Sequence, residues 1–363
     1  MPDPIREHWL TVAAVEAEAN DTLCVEFAVP AELTGAFCFK QGQYVTLSVD
    51  CDGDTLRRSY SICAALGEPL RVAIKKIEGG AFSQYAHANF RAGTRVKVRE
   101  PEGSFTSPLH PENKKSYLCI AAGSGITPII SIVKSVLAEE PDSRVTLLYG
   151  NRRSADIIFR EQLLWLKNRY LQRLQWINVF SQEKQGAPVL NGRINNRKGA
   201  ELNRHLLDLA GYDEFFLCGP EGMTSEVARG LRDFGVDEAR IHYELFFASA
   251  EDARAALQKQ RDRIAQYAGL TTQVRVRAGG REVQFELSAD GENILDGAMN
   301  SGVDLPFSCK GGVCATCKAK VLEGTVDMDL NHALSAEELA EGFVLTCQAH
   351  PISDNVIIDF DVI

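Results

Sequence analysis

Four cysteines near the C-terminal end constrain this chain more than any other feature. Cys309, Cys314 and Cys317 share the loop Cys-Lys-Gly-Gly-Val-Cys-Ala-Thr-Cys, and Cys347 follows at long range in Leu-Thr-Cys-Gln-Ala. Two bridged tetrahedral irons need four thiolates, and C-x4-C-x2-C with a distant fourth Cys is the spacing that holds a 2Fe-2S cluster. Gly311 and Gly312 carry no Cβ, so the backbone can approach inorganic sulfide and aim N–H groups at it. A structural zinc site is the competing assignment. Zinc sites usually come as two short Cys/His pairs, whereas here three ligands share one loop and the fourth stands alone. A one-electron centre of this kind needs a source of electrons, which the rest of the chain must supply.

The 363 residues suggest two or three domains, each with its own core. Ten cysteines without an N-terminal apolar segment argue for a reducing, cytosolic setting, where thiols serve metals. The most apolar stretch, 117–138, is interrupted by Gly123, Gly125, Pro128 and Lys134, so no membrane span is expected. Charge is uneven. From Thr271 onward six Lys/Arg face fifteen Asp/Glu, a net of −9, which leaves −1 of the chain's −10 for residues 1–270. An acidic C-terminal domain suits docking to basic protein surfaces and argues against nucleic acid.

Residues 8–28 and 43–76 alternate apolar and polar between Gly and Asp-Gly turns, the pattern of an antiparallel barrel or sandwich. Within them, Arg57-Arg58-Ser59-Tyr60-Ser61 offers a guanidinium for phosphate, a ring to stack on a flat heterocycle and hydroxyls for ring nitrogens. Gly79-Gly80-Ala81-Phe82-Ser83 opens a helical pattern, where free N–H groups and the helix dipole favour a phosphate. Each motif alone also fits an ordinary strand or a capped turn.

From Tyr117 strands alternate with helices, which predicts a parallel doubly wound sheet. Its first strand runs into Gly123-Ser-Gly125-Ile-Thr127-Pro, a turn that lets a pyrophosphate approach a helix N-terminus. The second ends in Asn151-Arg152-Arg153-Ser154, a donor set suited to a 2′-phosphate and hence to NADPH, although a solvated basic turn has the same composition. A later strand ends in Cys218-Gly219-Pro220, and the last strand is Ile241-His-Tyr-Glu244-Leu-Phe246. Residues 248–268 carry few apolar positions and read as a linker with a charged helix that Ser249 and Asp252 could cap. Beyond it a hairpin over 273–287 and a helix over 293–301 lead into the cysteine loop.

Together, R-x-Y-S, G-G-x-x-S, G-x-G-x-T-P and C-G-P resemble the ferredoxin–NADP reductase family. Flavin domain, nicotinamide domain and 2Fe-2S domain in this order resemble reductase components of bacterial oxygenases. The resemblance implies three domains. They are an antiparallel β-barrel binding FAD (1–112), an α/β nicotinamide domain (113–246), and, after a linker (247–270), an α+β, β-grasp-like 2Fe-2S domain (271–363). It assigns Arg58, Ser59, Tyr60, Ser61 and Gly79, Gly80, Ala81, Phe82 and Ser83 to FAD rather than FMN. It assigns Gly123, Gly125, Thr127, Arg152, Arg153, Ser154, Cys218, Gly219, Pro220 and Phe246 to the nucleotide or the flavin face. Ser61, Cys218 and Glu244 are the expected hydride-transfer residues, and Cys309, Cys314, Cys317 and Cys347 the iron ligands. The implied function is an NADPH-dependent oxidoreductase delivering electrons to a di-iron oxygenase within a multisubunit complex. Another oxygenase reductase, or a non-enzymatic electron shuttle with decayed nucleotide sites, stands as the alternative; the intact Gly123, Gly125, Cys218 and Gly219 argue against decay.

Overall fold

The computed structural model describes residues 7–362 other than 20, 52–53, 79, 247–257, 260–261, 268, 290, 304, 308–311, 313–314 and 332, and only the backbone of 54, 55, 221, 245 and 246. The described chain falls into two compact units, 7–248 and 249–363.

The first unit contains two sheets. Alternating residues build β1 (Glu7–Glu18), β2 (Thr22–Ala28), β3 (Tyr44–Cys51), β4 (Asp54–Ser61), β5 (Arg71–Lys75) and β6 (Arg95–Arg99). They form an antiparallel sheet in the order β4-β3-β6-β1-β2-β5, and a bridge from Ile62 to Val72 brings the two end strands together. Closure removes both open edges of the sheet. Leu10, Val25, Val45, Leu47, Ile62, Val72, Ile74 and Val96 fill the barrel, all fully buried. Helix α1 (Ala81–Asn89) covers it, burying Phe82 and Ala86.

The second sheet is parallel, in the order β11-β10-β7-β8-β9, from β7 (Ser116–Ala122), β8 (Arg144–Asn151), β9 (Leu174–Phe180), β10 (Glu214–Pro220) and β11 (Ile241–Phe246). Strand order reverses beside β7, the switch point where doubly wound sheets bind ligands beyond their carboxyl ends. Helix α2 (Ile126–Glu139) crosses from β7 to β8 and is buried over almost its whole length. Its apolar residues pack on the sheet, and its buried polar residues meet the barrel. Ser131 donates to the Ala64 carbonyl at 2.6 Å, Ser135 accepts from the Leu66 amide at 3.2 Å, and Lys134 pairs with Glu68. The lysine that interrupts the apolar run is thus an interface residue. The connection between the sheets is held by the fully buried Glu140, whose carboxylate accepts from the His110 amide, Asn113, Tyr117 and Ser143.

The second unit is mixed α+β. Strands β12 (Thr271–Ala278) and β13 (Arg281–Ser288) form the expected hairpin. With β14 (Lys318–Glu323), β16 (Phe343–Leu345) and β18 (Asn355–Asp359) they make a sheet in the order β13-β12-β18-β14-β16, and β15 (Val326–Met328) pairs with β17 (Ala349–Pro351) as a separate ribbon. The helix expected over 293–301 spans Ile294–Asn300, with the Asn293 side chain capping the Asp296 amide. Residues 262–267 are helical and belong to this unit. Arg263, 3% exposed, donates to the Ala289 carbonyl and pairs with Asp327 and Asp329 at 3.1 and 2.6 Å. The expected Ser249/Asp252 cap lies outside the described residues. Among the described residues no helix is long and apolar enough to cross a membrane.

Candidate functional site

The carboxyl edge of the parallel sheet gathers most of the expected nucleotide residues. After β7 the chain turns through Gly123, at φ +54°, into a single 3-10 turn and then α2. The buried Tyr149 of β8 donates to the Gly123 carbonyl at 2.9 Å and fixes the turn from below. Gly125 packs on the next strand so closely that a Cβ would lie 2.2 Å from the Cys218 carbonyl oxygen. Any side chain there would push the turn off the sheet, which is the physical requirement behind the second glycine. Thr127 is buried, its hydroxyl donating to the Ser124 carbonyl at 3.1 Å.

Cys218 sits beside Ala121 of β7 on one side and Glu244 of β11 on the other. Gly219, at φ +155°, could not carry a Cβ without meeting Met223 at 2.8 Å and Ala122 at 3.2 Å. Across from this edge the last residue of β4, Ser61, donates to Glu244 Oε2 at 3.2 Å. The three residues expected to frame hydride transfer, Ser61, Cys218 and Glu244, therefore converge, each less than a tenth exposed. Burial pushes the Glu244 carboxyl up to about 7, against the opposing Ser61 hydrogen bond. Burial, with the neighbouring Glu244 carboxylate, pushes the Cys218 thiol well above its ordinary value. Cys218 is thus a neutral thiol at physiological pH, able to pack against a ring and unsuited to act as a thiolate nucleophile.

On the barrel, Arg58 and Ser59 of β4 are exposed, while Tyr60 is half-buried with its ring 5.5 Å from that of Phe82 on α1. Gly80 is the N-cap of α1 and supplies no side-chain hydrogen bond to the first turn, so the helix start presents backbone to a ligand. The Ser83 hydroxyl is directed inward: it accepts from the Ile77 amide and donates to the Gly80 carbonyl, both at 3.1 Å. Ser83 therefore shapes the turn. A Cβ on Gly80 would come within 2.8 Å of that hydroxyl. Ala81 starts the helix; Gly79 and the Phe246 side chain lie outside the described residues. An exposed guanidinium, a packed tyrosine ring and an uncapped helix start suit a flavin dinucleotide.

Beyond β8, Arg152 and Arg153 are exposed. Ser154 is engaged in a way the sequence does not announce: its amide and its hydroxyl both donate to Glu183 Oε2, at 2.8 and 2.9 Å. These two bonds hold the Glu183 carboxyl below the usual range.

In the C-terminal unit two of the four expected iron ligands, Cys317 and Cys347, are buried at 2% and 3% exposure and belong to one core cluster. Thr346 ties them, its amide and hydroxyl donating to the Cys317 carbonyl at 3.2 and 3.0 Å. Gln348 Nε2 lies 3.9 Å from Cys347 Sγ. Ala315, a non-glycine at φ +52°, and Gly312, at φ +78°, adopt left-handed backbone. Cys309 and Cys314 lie outside the described residues. Two buried free thiols, with left-handed backbone at Gly312 and Ala315, fit a 2Fe-2S cluster.

A barrel, a doubly wound sheet and a cysteine-loop domain define a flavin- and pyridine-nucleotide-dependent oxidoreductase with its own iron–sulfur module. Family models agree segment by segment: an oxidoreductase FAD-binding domain matches residues 10–107, an oxidoreductase NAD-binding domain 119–229, and a 2Fe-2S iron-sulfur cluster binding domain 276–351. The chain is 44% identical to a subunit of 1,2-phenylacetyl-CoA epoxidase from Escherichia coli K12, over 98% of each chain. It is 32% identical, over 99% of each, to the ferredoxin reductase component of 3-ketosteroid-9-alpha-monooxygenase from Rhodococcus rhodochrous. Phthalate dioxygenase reductase, a modular structure for electron transfer from pyridine nucleotides to 2Fe-2S, shares the fold with a TM-score of 0.59 at 21% identity, over 98% of each chain. The chain belongs to the ferredoxin–NADP reductase family and is a reductase component of an oxygenase system.

Proposed function

We propose that this protein carries electrons from NADPH, through FAD and a 2Fe-2S cluster, to the di-iron oxygenase component of a phenylacetyl-CoA epoxidase in the cytoplasm. The observation that carries the hydride-transfer reading is the convergence of buried Ser61, Cys218 and Glu244 where barrel and parallel sheet meet. The partner reading rests on the 44% identity that runs the length of the chain.

When bound, FAD accepts a hydride from the nicotinamide and the cluster relays electrons one at a time. The chain's own residues supply position. Ser61 and Glu244 form a hydrogen-bonded pair at the hydride site, and the neutral Cys218 thiol, with Gly219 and Pro220, shapes the nicotinamide slot. Arg58, Ser59, Tyr60 and the turn from Gly79 to Ser83 hold the flavin dinucleotide. Gly123, Gly125 and Thr127 cradle the pyridine nucleotide's pyrophosphate, and Arg152, Arg153 and Ser154 face its 2′-phosphate. Phe246 closes the flavin face, and Cys309, Cys314, Cys317 and Cys347 bind the cluster. Domain limits of 1–112, 113–246 and 271–363, with 247–270 between, follow the same reading. The acidic cluster domain would dock on a basic face of the oxygenase.

Anaerobic titration with NADPH, followed by visible absorbance and electron paramagnetic resonance, tests the route. Flavin bleaching followed by a one-electron 2Fe-2S signal is expected. In Cys347→Ser the bleaching persists while the signal and epoxide formation with the reconstituted oxygenase are lost. Epoxide formation that survives Cys347→Ser would overturn the route. Electron delivery to a steroid or aromatic-ring oxygenase in place of the epoxidase would overturn the partner.

A further inference from the structure

The donors expected to receive a 2′-phosphate already hold a carboxylate. Ser154 follows the second strand of the parallel sheet, where a doubly wound fold meets the adenosine ribose. Its amide and hydroxyl converge on one oxygen of Glu183, which follows β9. The two loops run side by side past the strand ends, with the Ser181 amide donating to the Asn151 carbonyl at 3.0 Å and the Gln182 amide to the Arg152 carbonyl at 2.9 Å. Glu183 is therefore held against Ser154 by backbone as well as by its own carboxylate. Arg153 adds its positive charge to the same carboxylate. Beside Ser154 opens a cavity of about 290 Å³ walled by Ile157, Arg160, Trp176, Asn178 and Phe180. Among the described residues, the buried Trp176 Nε1 and Asn178 Oδ1 have no hydrogen-bond partner.

We infer that Glu183 is a specificity-determining residue that competes with the 2′-phosphate of NADPH for the Ser154 donors and so limits the preference for NADPH over NADH. The inference rests on the placement of the 2′-phosphate at Arg152, Arg153 and Ser154. A 2′-phosphate needs donors and repels a carboxylate, so NADPH binds only as Glu183 swings away. A 2′-hydroxyl, in contrast, can donate to Glu183 where it stands, the arrangement by which a carboxylate selects NADH. The two arginines and the glutamate thus pull in opposite directions at one ribose.

The test uses the holoenzyme and two fragments, adenosine 2′,5′-bisphosphate and 5′-AMP, titrated by calorimetry, alongside kcat/KM for both dinucleotides. Glu183→Gln keeps the size and removes the charge. It is expected to raise the affinity ratio of the bisphosphate over 5′-AMP, and the kcat/KM ratio of NADPH over NADH, by about five- to twenty-fold. Arg153→Ala is expected to lower both ratios. If Arg153→Ala lowers them and Glu183→Gln leaves them unchanged, the 2′-phosphate site stands and the role of Glu183 is overturned. If neither variant nor Ser154→Ala moves the ratios, the phosphate does not bind here and both readings fall.

Discussion

The two ends of the parallel sheet's carboxyl edge handle polar groups in opposite ways. At the end proposed for the nicotinamide, Ser61, Cys218 and Glu244 are buried, and burial raises the thiol and the carboxyl above their ordinary values. At the end proposed for the adenosine, Arg152 and Arg153 stand in solvent, and Glu183 is held by the two Ser154 donors. Burial penalises charge and fixes position, which suits chemistry. Exposure tolerates charge and leaves position adjustable, which suits choosing between two similar nucleotides.

Changes at the buried end should have the larger effects. Glu244 titrates near 4.5 when unfolded and at about 7 when folded, so the unfolded chain releases its proton first as pH rises. Its contribution to stability is complete below about 4.5 and is lost as pH rises through 7, a loss of roughly 3 kcal/mol. Urea unfolding of the apoprotein at pH 5 and pH 8 should show that loss in the wild type and a smaller one in Glu244→Gln. Equal losses in the two proteins would mean that Glu244 is solvated. Cys218→Ala should slow flavin reduction about ten- to hundred-fold in stopped-flow with NADPH and NADH alike, because a gap beside the nicotinamide loosens its approach. A loss confined to one nucleotide would erase the contrast between the ends. At the exposed end, Arg153→Ala should raise KM for NADPH about five- to tenfold and move that for NADH much less. The smallest effect is screening: raising ionic strength from about 0.05 to 0.5 M should weaken NADPH a few-fold more than NADH.

The same contrast explains what the sequence discloses. Gly123-Ser-Gly125 and Cys218-Gly219-Pro220 are legible because close packing forces residue type and spacing: a Cβ at Gly125 would meet backbone 2.2 Å away. The barrel and the parallel sheet are legible in alternation and in the βα rhythm. Ser83 is legible as part of the helix start, yet its hydroxyl turns inward to Ile77 and Gly80, a choice of rotamer that no local pattern encodes. Glu183 is not visible at all. In Ser181-Gln-Glu183-Lys it looks like any solvated loop residue, and only the pairing of two strand ends 29 residues apart brings it to Ser154. Arg263 likewise looks like one charge among many in a polar stretch, and its burial against Asp327 and Asp329 depends on contacts 64 and 66 residues away.

The polar row on α2 bears on how such reductases can be recombined. Ser131, Lys134 and Ser135 are almost completely buried only because residues 64–68 of the barrel answer them. A chimera grafting this nucleotide domain onto a foreign barrel would strand a lysine and two hydroxyls in an apolar seam unless that short barrel segment travelled with them. The unit of inheritance for a working hydride-transfer module is therefore the barrel, the sheet and their seam together, while the cluster-bearing unit carries a separate core of its own.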